Sequence, residues 1–62
     1  DPDNYSSAMS DVTDVLEGTA DKIKNGSTNY WTKDQITDYI NNKYGDMADT
    51  ILDGINWGDY GL

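Results

Sequence analysis

The sequence has no cysteine and no histidine. The first absence removes a disulfide framework, and the two together remove the common zinc signatures. They also nearly close the nucleophile–base routes to catalysis, which need His, Cys or an activated Ser or Lys. Paired carboxylates could do glycosidase chemistry, but only in a cleft and with one carboxyl of raised pKa. A chain of 62 residues leaves little room for a cleft. The chain is therefore expected to be non-enzymatic and to use no cofactor. Arginine is also absent, and four Lys face eleven Asp and one Glu, a net charge of −8. Nucleic-acid binding needs cations set against phosphates, so no direct nucleic-acid partner is expected. An anionic membrane surface is disfavoured for the same reason. No apolar run approaches the ~20 residues of a membrane span, so no membrane insertion is expected.

The apolar stock is five Ile, three Leu, two Val, two Met and three Ala, with five Tyr and two Trp beside it. Packing alone must hold a core of this size, and a total stability of about 3–5 kcal/mol is expected. The strongest periodic signal runs through Tyr5, Met9, Val12, Leu16, Thr19 and Ile23, in alternating steps of four and three. Such steps mark the seam positions of an amphipathic helix, and Ala8, Val15 and Ala20 widen the stripe. Asp1-Pro2-Asp3 suits a helix start, with a capping Asp, Pro at the first turn and a carboxylate at the positive end of the dipole. Lys24-Asn25-Gly26 suits its end. Gly18 falls on the solvent side of this helix, where glycine costs ~1 kcal/mol against Ala. It is either a tolerated weak spot, a place where a partner's backbone comes close, or a break in the helix.

The second helix announces its own start. Thr32 and Gln35 have the spacing of a capping box, while Trp31 before the cap and Ile36 at the fourth helical position have that of a hydrophobic staple. Ile36, Tyr39, Ile40 and Lys43 share one side, and Gly45 is a natural stop. Asp46 can cap a third helix whose apolar side is Met47, Ala48, Ile51, Leu52 and Ile55. The expected fold is all-α: one domain over 1–62, a small three-helix bundle with a long first helix packed across two shorter ones. The helices are placed at about 3–24, 33–44 and 46–57, with a glycine-broken aromatic tail at 58–62.

Two surfaces can carry function. One is acidic: Asp14, Glu17 and Asp21 on the first helix, Asp34 and Asp38 on the second, Asp49 and Asp53 on the third. The other is aromatic: Tyr30 and Trp31 before the second helix, Trp57 and Tyr60 after the third, Tyr and Trp being residues that anchor protein interfaces. Asp1, Asp3 and Asn4 imitate the start of a calcium loop, but Ser6 and Val12 stand where that loop needs Gly and Glu. Asp46, Asp49 and Asp59 offer weak Ca²⁺ ligation at best, and no metal site is expected. A helix-turn-helix reading of the last two helices fails on charge, because a recognition helix bearing Asp46, Asp49 and Asp53 is repelled by DNA.

The expectation is thus a protein-interaction module with a protein partner of basic character. The alternatives are an acidic inhibitor or DNA mimic that occupies a basic nucleic-acid-binding protein, and a structural domain of a larger surface or virion protein. A chain opening on Asp rather than Met is expected to be processed or excised from a longer one. The Asn/Ser/Thr/Tyr/Asp-rich make-up points to a secreted, cell-surface or virion setting.

Overall fold

The computed structural model describes the backbone of residues 2–62 and the side chains from Asn4 onward. The expected cap at Asp1, and the Asp1 and Asp3 members of the calcium-loop imitation, lie outside these described residues. Three α-helices form: α1 (Pro2–Lys24), α2 (Lys33–Tyr44) and α3 (Ala48–Asp53). Gly45–Met47 makes a 3₁₀ turn between α2 and α3, and Trp57–Tyr60 makes a second one near the C terminus. The result is a small all-helical bundle, 38 Å long and 16–17 Å across. Its first helix, 23 residues, lies against the shorter pair.

The core is made of Ala8, Val12 and Leu16 from α1, Ile36 and Ile40 from α2, and Ala48 and Ile51 from α3. Thr19 is buried beside them, its hydroxyl donating to the Val15 carbonyl at 2.9 Å, so no polar atom is stranded there. The buried stripe of α1 therefore starts at Ala8 and runs through Val12, Leu16 and Thr19. Tyr5, expected at the head of the seam, is exposed, as are Asn4, Ser6 and Ser7. The cause is length: at 1.5 Å per residue α1 is about 34 Å long and α2 about 18 Å, so the start of α1 finds nothing to pack against.

Each connection is closed by backbone hydrogen bonds. At the end of α1, Ser27 N–H donates to Lys22 O at 2.9 Å and Gly26 N–H to Ile23 O at 3.0 Å. This is the Schellman pairing, which uses carbonyls the helix leaves free. The chain enters α2 through the expected capping box: Gln35 N–H donates to Thr32 Oγ1 at 3.2 Å, and Thr32 N–H to Gln35 Oε1 at 2.8 Å. Gly45, at φ +47°, still donates its N–H to Asn41 O but turns the chain out of α2. α3 then packs back on α2 through Ile51 and Ala48.

The third helix is shorter than the expected 46–57. Asp46 does not cap it; it lies within the preceding 3₁₀ turn, and Met47 holds the cap position without a side-chain bond. At the other end Gly54 and Ile55 tighten onto Ile51 and Leu52 carbonyls, and Asn56 leaves helical geometry. The expected glycine-broken aromatic tail includes most of the second 3₁₀ turn and closes on it. Leu62 N–H donates to Trp57 O and Gly61 N–H to Gly58 O, a second Schellman pairing, with Gly61 at φ +81°. Trp57, Tyr60 and Leu62 pack against the core, and the space over Gly61 is filled by Ile23 of α1.

Candidate interaction surface

Asp14, Glu17, Asp21, Asp34, Asp38, Asp49 and Asp53 are all exposed. Three-and-four spacing sets Asp14, Glu17 and Asp21 on one stripe of α1, and Asp34 and Asp38 are likewise one turn apart on α2. Little cationic charge offsets them. Among the described residues the one ion pair joins Lys43 to Asp11, at 3.2 Å. Lys33 lies over the Trp57 ring, 5.3 Å from its centroid. The seven carboxylates therefore face solvent with no ion-pair partner among the described residues.

Asp11 has a different role. Its Oδ2 accepts from the Tyr39 hydroxyl at 2.7 Å, from the Tyr44 hydroxyl and from Lys43 Nζ, tying α1 to α2 at the edge of the core. The Tyr44 and Tyr39 hydroxyls, followed by Lys43, hold its carboxyl below the ordinary 3.8. Partial burial and the adjoining carboxylate push the Tyr44 phenol above 10.0. The Lys43 ammonium is held above its usual value by Tyr39 and Asp11. Sequence reasoning does not single out Asp11. The available signal is its place on the flank of the buried stripe, three residues after Ala8 and four before Val15.

The four aromatics of the second surface are not equivalent. Trp57 and Tyr60 are half-buried against the core, and Tyr30 is half-buried in the loop before α2. Trp31 alone of the four keeps a large exposure, 46%. Its ring does not close over the core as a staple would. It runs along α2 to Tyr39, with ring centroids 5.3 Å apart and planes tilted by 52°. It lines an open groove of about 250 Å³ with Asp14, Val15, Gly18, Thr19 and Lys22 of α1. Gly18 belongs to the groove's lining, and a Cβ built on it would meet no atom within 4 Å. α1 passes through Gly18 without a break. The groove joins Trp31 and Asp14, placed on separate surfaces by the sequence, with Gly18 between them.

Among the described residues no three carboxylates converge on a point where a metal ion could sit. None of the helices is long and apolar enough to cross a membrane, in the residues described. Comparison of the chain with protein-family models, with curated proteins and with solved structures gives no match in any of the three.

Proposed function

We propose that this chain is a non-catalytic interaction domain that presents an acidic helical surface to a basic protein. The observation that carries the reading is the set of seven exposed carboxylates on three helices with no ion-pair partner among the described residues. Like charges one turn apart repel by a few tenths of a kcal/mol per pair, so the folded chain bears a cost that a cationic partner relieves. The same field speeds encounter with a basic surface and discourages acidic ones. The rigid helices hold the charges in fixed places, and Trp31 supplies an exposed aromatic contact within the same region.

Binding to basic and acidic proteins of similar size, measured by titration calorimetry, tests this. Association with a basic protein should weaken when ionic strength rises from about 0.05 to about 0.5 M, as the Debye length shrinks well below 10 Å. The triple variant Asp14→Asn, Glu17→Gln, Asp21→Asn should bind less tightly while keeping its helical circular dichroism. Salt-independent binding, or equal affinity for acidic and basic proteins, would refute the reading.

A further inference from the structure

Resting on that reading, we propose that the groove between Trp31 and α1 receives an arginine side chain of the partner, laid flat on the indole and paired with Asp14. The chain's own cations show the preference of its aromatic rings. Lys33 sits over Trp57 at 5.3 Å, and Lys43 lies over both Tyr39 and Tyr44, at 5.3 and 5.6 Å. Trp31 is the tryptophan with no cation over it among the described residues. Tyr39 packs against it at a tilt, and the indole also lines the groove.

The walls fit a guanidinium. Trp31 and Val15 give an apolar side for a planar group to stack on. Asp14 lies at one end, and Glu17 and Asp21 continue its charge along the outer rim of α1. A carboxylate takes two parallel hydrogen bonds from arginine, which lysine cannot supply. Lys22, eight residues on, is about 12 Å along the helix from Asp14. The cation enters at the Asp14 end, and Lys22 is left to meet main-chain carbonyls of the partner. The glycine at position 18 has a use in this arrangement, since any larger side chain would project into the groove. The chain has no arginine, so no residue of its own supplies that group.

The test is a nuclear magnetic resonance titration of the whole chain with acetyl-Gly-Arg-Gly-amide, and with its lysine and citrulline counterparts. The Trp31 indole N–H and the Gly18 amide should shift saturably with the arginine peptide, less with lysine and not with citrulline. The Trp57 indole should stay in place. Asp14→Asn should weaken binding by about threefold, the scale of an exposed ion pair. Gly18→Leu adds a side chain where a Cβ meets open space, and should keep the parent's helical circular dichroism while losing the Trp31 indole shift. Equal shifts with citrulline, unchanged binding by Gly18→Leu, a neutral disaccharide shifting Trp31 where the arginine peptide does not, or shifts that follow protein concentration alone would each overturn the proposal. If Gly18→Leu still binds a basic protein in a salt-sensitive manner as tightly as the parent, the groove is not the anchor and the acidic-surface reading stands. If no basic protein binds at all, that reading falls.

Discussion

Leu16 is the largest of the side chains that α1 buries completely, and it belongs to a core that also takes in residues of both shorter helices. Truncating such a side chain costs about 2–5 kcal/mol, from the apolar burial lost and the cavity left behind. Against a total of about 3–5 kcal/mol, Leu16→Ala should leave much of the population unfolded at room temperature. A thermal melt that moves by only a few degrees would show that the site collapses around the smaller side chain. Asp11 gives a prediction of another kind. Its folded pKa is lowered by Tyr44, Tyr39 and Lys43. Its contribution is therefore complete above the unfolded value of about 3.9 and is lost as pH falls through the lower folded value. Asp11→Asn should be less stable than the parent at neutral pH, and the gap should close below about pH 4. Urea midpoints at a series of pH values read this directly, and a gap independent of pH would assign the loss to packing. At the alkaline end Tyr44 and Lys43 have raised values, so their contribution is present below about pH 10 and fades above it.

At the scale of elements, α2 is the most firmly specified. Thr32 and Gln35 exchange both hydrogen bonds of a capping box, so Thr32→Ala should cost about 0.5–2 kcal/mol, measured as a lowered urea midpoint at unchanged slope. This box was legible because all its parts lie within four residues. The same is true of the Lys24-Asn25-Gly26 stop and of the bounds of α2 itself. What could not be read was decided across the fold. Tyr5 carries the right spacing for the seam, yet burial depends on how far α2 reaches along α1, which no local pattern encodes. The indole of Trp31 has the staple position, but it pairs with the Tyr39 ring, further along α2 than Ile36, and stays 46% exposed. The tail past Gly58 was read only as glycine-broken, because its docking involves Ile23, nearly forty residues earlier. The groove was legible only in parts: Gly18 stood out as costly on a solvent face, while its meeting with Trp31 depends on the angle between helices.

For the whole molecule, the main electrostatic influence outside the core is self-repulsion. A net charge of −8 on a body 38 Å long and 16–17 Å across disfavours the compact state. Salt screens it, so the melting temperature should rise as sodium chloride goes from about 0.02 to about 0.5 M, the range over which the Debye length falls to a few ångströms. A falling melting temperature would mean that the Asp11–Lys43 attraction outweighs all the repulsions together. The docking of Gly61 on Ile23 has a geometric consequence of its own. Ile23 is the penultimate residue of α1, so residues 2 and 61 are separated by almost the whole helix, about 32 Å. Chain that is joined at both ends therefore passes through the domain from pole to pole, with α1 as the strut between them. Joining the two ends into a circle would take a bridge of roughly nine extended residues, so a short linker cannot produce a permuted chain here.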